Sequence, residues 1–156
     1  MRKPRRKRPL RLVLLVILLI LLVIQFIPVD RSVPEYDASQ DFFAQVNATD
    51  EIRTLIKDAC YNCHSYETEY PWYAYVAPLA GWIQGHIDHG REECNFSIWG
   101  TYDADRADHK LEECAELVES GSMPLSSYTR MGMHPEARLT DAQRQMLVTW
   151  FAGLRE

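Results

Sequence analysis

The chain has 156 residues, 17 of them basic and 22 acidic, which is enough for one small domain and an anchor. Its net charge of −5 is unevenly spread: seven cations fall in the first eleven residues, and the other 145 residues carry a balance of −12. A body that acidic excludes nucleic-acid binding through phosphate contacts; it suits a basic partner surface or simple hydration.

Residues 1–11 form a basic tail. The run LVLLVILLILLVIQFI, Leu12 to Ile27, is interrupted only by Gln25. As a helix its 16 residues reach about 24 Å, a little short of a hydrocarbon core of roughly 30 Å. Leu10 and Val29 at the edges, with local thinning, close the gap. The run exits into Phe26–Arg31 with no small-residue cleavage triplet, so residues 12–29 are expected as a retained transmembrane signal-anchor. The cations before it put the N-terminus in the cytoplasm and everything after Val29 outside the inner membrane, in the periplasm. The competing reading, a buried core helix, fails because nothing else in the chain could cover so uniform an apolar cylinder.

Residues 30–47 read as a linker with a short helical turn at Asp41–Val46, and residues 48–156 as the folded domain. Its first helix is expected from about Asp50 to Cys60. Ile52, Leu55, Ile56 and Ala59 line one face, with Asn47 or Thr49 as cap. An aromatic loop follows, SYETEYPWYAYVAP. A second helix covers Leu79–Glu93, with Leu79, Trp82, Ile83, His86 and Ile87 on its apolar face. A third covers Asp105–Ser120, with Ala107, Leu111, Cys114, Leu117 and Val118 inward. Gly121–Ala137 is a loop. The last helix starts at Thr140, where Thr140 and Gln143 match a capping box, and carries the stripe Met146, Leu147, Trp150, Phe151, Leu154. No run of period-two strands is present, so the expected class is all-α.

The stretch DACYNCHSYE, Asp58 to Glu67, holds the chemistry. A redox dithiol needs its cysteines at a helix N-terminus, after a strand; Cys60 and Cys63 end a helix instead. A structural zinc site needs two close ligand pairs; Cys94 and Cys114 form no such pair, and Cys63 and His64 are awkwardly adjacent. Haem attachment uses the whole pentapeptide CYNCH. Each thiol adds to one vinyl group, and the adjacent imidazole is drawn beneath the iron as proximal ligand. Export across the inner membrane is the setting in which such attachment is made.

A second axial ligand comes from Met123, Met131, Met133, His86, His89, His109 or His134. Met123 stands in the loop GSMPL, where Gly121 lets backbone pass close to a flat ring and Pro124 limits it. Its bland reading is a gap-filling methionine. His86 is the rival, beside Trp82, Ile83 and Ile87; its bland reading is a satisfied core histidine. His134 suits a propionate contact or a loop end, and His89 and His109 read as surface residues.

Together CYNCHS, YPWY, APLAGWIQGHIDHGREE, NFSIWG, HKLEE, MPLSSYT and HPEARLTDAQR resemble the haem-binding domain family of membrane-anchored c-type cytochromes. FIPVDRS resembles the stretch after their anchors. The resemblance spans nearly all of Gln25 to Leu154. It implies a cytochrome c-like fold with one covalent haem c. It also implies Cys60 and Cys63 as thioether sites, His64 as proximal ligand and Met123 as distal ligand.

Cys94 and Cys114 lie outside the family's motif residues; in an oxidising compartment they are a candidate disulfide, against two buried free thiols. The function expected is electron transfer by a monohaem carrier, not an enzyme, with redox proteins as partners. The first and last helices are expected to cross near the haem, burying Leu55, Ile56, Leu147, Trp150 and Phe151, with Tyr70–Tyr75 packed near the haem or serving as a loop anchor. The alternatives are a haem-based sensor or small peroxidase with an open sixth position, and a zinc-stabilised interaction domain.

Overall fold

A computed structural model describes residues 8–130 and 133–155 of the chain. It is all-helical: 68% of the described residues are helix, and no strand occurs among them. The α-helices are α1 (Arg8–Val23), α2 (Phe42–Gln45), α3 (Asp50–Ile56), α4 (Asn62–His64), α5 (Leu79–Glu93), α6 (Ala104–Glu119), α7 (Ser126–Thr129) and α8 (Asp141–Gly153). The chain divides into two units, one of residues 1–32 and 70–86, the other of residues 33–69 and 87–156.

The first unit contains α1, which continues as a tight 3₁₀ turn over Ile24–Phe26. The window Pro9–Phe26 is long and apolar enough to cross a membrane, and none of it is buried. That exposure removes the core-helix reading. The side chain of Gln25 pairs with the aromatic segment: its amide nitrogen donates to the Ala77 carbonyl at 3.0 Å, and its oxygen accepts from the Ala77 N–H at 3.0 Å. The Arg31 guanidinium lies over Tyr75, 4.6 Å from the ring centre, and over Tyr70 at 5.6 Å. It also donates to the Ala74 carbonyl. The aromatic segment thus packs with the end of α1 and the residues that follow it.

In the second unit, local caps define the helices. Asp41 accepts from Phe43 N and starts α2. Thr49 accepts from Ile52 N and starts α3, whose first turn carries Asp50 and Glu51 at its positive end. Asp103 caps α6, and Thr140 with Gln143 completes the expected capping box of α8. Gly121, at φ +74°, turns the chain out of α6 in the left-handed conformation that glycine adopts without strain.

The core gathers Phe42, Phe43, Ile52, Leu55, Ile56, Tyr61, Phe96, Trp99, Leu111, Val118, Leu147 and Phe151. Residues 30–47, read as a linker, therefore supply two core aromatics, because the turn capped by Asp41 aims Phe42 and Phe43 inward. Leu55, Ile56, Leu147 and Phe151 are buried as expected, and Trp150 packs against them. The chief partner of α8 is α6 rather than α3. Arg155 adds ion pairs across that seam, to Asp108 at 2.8 Å and Glu112 at 3.0 Å. The apolar face of α5 also differs from expectation: Leu79 and Trp82 are exposed, whereas Ala80, Gln84, Ile87 and Gly90 are buried.

Phe42 is fully buried, with Trp99 edge-on at 4.6 Å and Phe96 at 5.1 Å. Phe42→Ala should lower unfolding free energy by about 3–5 kcal/mol, read as a shifted denaturation midpoint with α-helical circular dichroism retained in buffer.

Candidate functional site

The helix begun by Asp50–Ile56 does not stop before the cysteines. It widens into a π-helical turn over Lys57–Tyr61 and tightens again over Asn62–His64. This detour places Tyr61, the first spacer residue of CYNCH, in the core. Tyr61 is 2% exposed and stacked between Phe43 at 5.4 Å and Phe96 at 5.3 Å. Its hydroxyl donates to Asp41 at 3.1 Å, the residue that caps α2. Burial, reinforced by the Asp41 charge, pushes the phenol's pKa far up, so the hydroxyl stays a donor. Lys57 lies over the Tyr61 ring at 4.0 Å and pairs with Glu67.

Asn62, the second spacer residue, works on the opposite side. Its amide donates to the Tyr128 hydroxyl at 2.8 Å and accepts from Glu69 N at 2.8 Å. Tyr128 belongs to α7, five residues beyond Met123, so this bond ties the methionine loop to the cysteine motif. The Met123 backbone is itself fixed: its N–H donates to the Leu117 carbonyl at 2.9 Å, and its carbonyl accepts from Arg144 at 2.7 Å. Arg144 also holds the Val118 carbonyl, at 2.8 Å. Met123 is partly buried, and Pro124 is buried behind it. His134 stacks on Tyr128 at 3.9 Å and contacts Glu136 at 3.0 Å. Met133 is exposed, and Met131 lies outside the described residues.

The C-terminal half of α5 closes over the motif. Gly90 comes so near that a Cβ there would sit 2.8 Å from the Cys63 carbonyl oxygen. Arg91 donates to the Ser65 carbonyl at 2.8 Å and to the Thr68 hydroxyl at 3.0 Å. Thr68 in turn donates to the Asn62 carbonyl at 2.7 Å. Past the end of α5, the carbonyl of Cys94 lies 3.0 Å from Nδ1 of His64. Burial lowers the His64 pKa against the opposing pull of the Cys94 and Gly90 carbonyls, which keeps the ring neutral. A neutral imidazole donating through Nδ1 has its lone pair on Nε2, the nitrogen then able to bind a metal.

All four cysteines are free thiols. Burial raises the pKa of Cys60, with the nearby Cys114 and Cys63 adding to it. Cys63 is raised by burial and drawn back by Arg91. Cys94 and Cys114 share a thiol hydrogen bond, and this, ahead of burial, pushes Cys94 up. Beside them, Lys110 of α6 reaches Glu93 at 4.0 Å. No group of three or more His, Cys, Asp or Glu arranged for a metal ion occurs among the described residues.

The second unit thus brings together Cys60, Cys63, His64 and the loop of Met123, with Cys94 and Cys114 alongside. His86 belongs to the other unit, its Nδ1 2.9 Å from the Trp82 carbonyl and its ring 4.3 Å from the Trp82 ring. His89 and His109 are exposed beside Glu92 and Glu113. Tyr61, Asn62, Gly90, Tyr128 and Arg144 were not singled out from sequence. Each nevertheless lies in one of the stretches that carry the family resemblance, Tyr61 and Asn62 inside the cysteine motif itself.

Gly90→Ala should cost about 1–3 kcal/mol, because rigid backbone rather than a flexible side chain meets the new methyl group. The checks are a lower melting temperature and reduced pigment per polypeptide, with Gly85→Ala, whose added methyl group meets nothing within 4 Å, as the neutral control.

No curated protein and no solved structure matches the chain. A family model described as a haem-binding domain matches residues 19–153, from within the apolar helix to the end of α8. The chain therefore belongs to the haem-binding domain family.

Proposed function

We propose that this haem-binding protein is a monohaem c-type cytochrome, an electron carrier tethered to the inner membrane by α1 with its haem domain in the periplasm. The observation that carries the reading is the His64 contact. A neutral imidazole whose Nδ1 is engaged by the Cys94 carbonyl offers Nε2, one residue after a pair of unpaired thiols. Two free thiols and a neutral imidazole on consecutive turns are the donor set that covalent haem attachment requires.

Cys60 and Cys63 would hold the porphyrin through thioether bonds, each formed by adding S–H across one vinyl group. His64 and Met123 would hold the iron, the latter supported by the Asn62–Tyr128 tie and the fixed backbone on both sides of its Cα; His86 is the rival. Bound haem supplies a one-electron ferric/ferrous couple. The chain supplies burial, a fixed imidazole tautomer and a neutral thioether, which favours reduced iron. No substrate is bound. The acidic body suits redox partners with basic docking surfaces.

Cys94 and Cys114 form a disulfide in the exported protein. Their shared hydrogen bond supports it. The bond forms by exchange with a donor protein disulfide, which leaves as a dithiol. Closing that loop is worth about 3 kcal/mol in the chain-entropy model, and it commits the thiols next to Cys60 elsewhere.

Two measurements test this reading. Expressed with haem-maturation machinery, the chain should keep its pigment on a denaturing gel and in acidified acetone. The double variant Cys60→Ala, Cys63→Ala should lose it, and loss of pigment from the wild type would overturn covalent attachment. Met123→Ala should convert a low-spin spectrum to high spin; an unchanged spectrum moves the ligand to His86, and immediate carbon monoxide binding by the wild type replaces the carrier with a sensor or peroxidase. For the disulfide, the intact mass under denaturing, alkylating conditions should show no alkylated cysteine until reduction, and two afterwards.

A further inference from the structure

We infer that the aromatic segment Trp72–Trp82 lies in the outer headgroup layer of the bilayer that α1 enters, as a second contact between protein and lipid. The inference rests on the proposed anchoring and adds the partner of a surface that this reading leaves unexplained.

Gln25 carries the argument. It stands two residues before the apolar run ends at Ile27, and so marks the depth at which the span leaves hydrocarbon. There a free amide is costly, since no water satisfies it. Every polar atom of this side chain is engaged: the nitrogen donates to the Leu21 carbonyl at 2.7 Å and the Ala77 carbonyl at 3.0 Å, and the oxygen accepts from Ala77 N at 3.0 Å. The same pair of bonds satisfies the backbone of Ala77. Ala77 therefore sits at the level of the span's exit, and its neighbours in sequence lie within a few residues of that level.

Those neighbours are the wrong residues for a water-facing loop. Trp72 is 79% exposed, Tyr75 63% and Trp82 50%, joined by the exposed Val76 and Leu79 and by Phe26 and Ile27 of the anchor itself. Trp and Tyr, with an apolar body and a polar tip, collect at membrane interfaces. Arg31 belongs to the same surface: its guanidinium lies over Tyr75 and Tyr70 and donates to the Ala74 carbonyl. The exposed apolar residues share one unit with the span and are joined to it through Gln25 and Ala77, which favours phospholipid over a protein partner or a second copy.

The test uses the full haem-loaded chain in nanodiscs of phosphatidylethanolamine and phosphatidylglycerol, doped with a phospholipid bearing a diazirine on its acyl chain near the glycerol. After illumination, adducts are mapped by mass spectrometry. Adducts are expected on the anchor peptide and on the peptide containing Trp72–Trp82. In Gln25→Leu, whose span is only more apolar, anchor adducts should persist while those on Trp72–Trp82 fall several-fold. Adducts confined to the wild-type anchor overturn the inference and leave the segment to water, a protein partner or a second copy. Unchanged labelling of Trp72–Trp82 in Gln25→Leu overturns it as well, because the depth argument runs through that side chain. Adducts on neither peptide overturn the anchoring itself.

Discussion

The stacking of Tyr61 between Phe43 and Phe96 is the contact on which this molecule is organised. The ring is a residue of the cysteine motif, yet it is buried among the core side chains. Its two neighbours come from α2 and from the 3₁₀ segment Phe96–Thr101. A group attached at Cys60 and Cys63 would therefore be mounted on the core, one residue before the buried ring and two residues after it. The π-helical turn at Lys57–Tyr61 belongs to the same design. Inserting a wider turn rotates the residues that follow it, and such turns recur at functional sites for that reason.

From that fixed point the site extends in two directions by hydrogen bonds. Toward α5, Gly90, Arg91 and the Cys94 carbonyl hold the backbone of Cys63, the Ser65 carbonyl and the imidazole of His64. Toward α7, Asn62 reaches Tyr128 and with it the loop of Met123. The spacer residues thus serve opposite ends. One is a wedge into the core, and the other is a strap to the methionine loop. A motif written as two cysteines with two arbitrary residues between them hides this division, since the attachment chemistry involves neither spacer.

The acidic second unit and the apolar-aromatic first unit bury opposite kinds of group. In the second, large apolar side chains are packed inward, and ion pairs such as Arg155 with Asp108 and Glu112 stay at the surface. In the first, polar groups are turned inward onto one another, as in Gln25 with Ala77 and Arg31 with Ala74, while tryptophan, tyrosine and aliphatic side chains face out. Large exposed apolar patches of this kind mark surfaces that meet a partner or a membrane.

The amino-acid sequence by itself determined what depends on neighbours along the chain. The apolar run, the helix class, the caps at Thr49 and Thr140, and the CYNCH pentapeptide are all local, because helix periodicity, capping and thiol spacing act within a few residues. Tertiary structure alone decided the rest. It drew Phe42 and Phe43 from an expected linker into the core and turned the buried stripe of α5 to Ala80, Gln84, Ile87 and Gly90. It made α6 the partner of α8, set Cys94 against Cys114, and joined the aromatic segment to Gln25. Each of these is set by packing between residues far apart in sequence. Where two faces of a helix are comparably apolar, only the shape and chemistry of what lies opposite chooses between them.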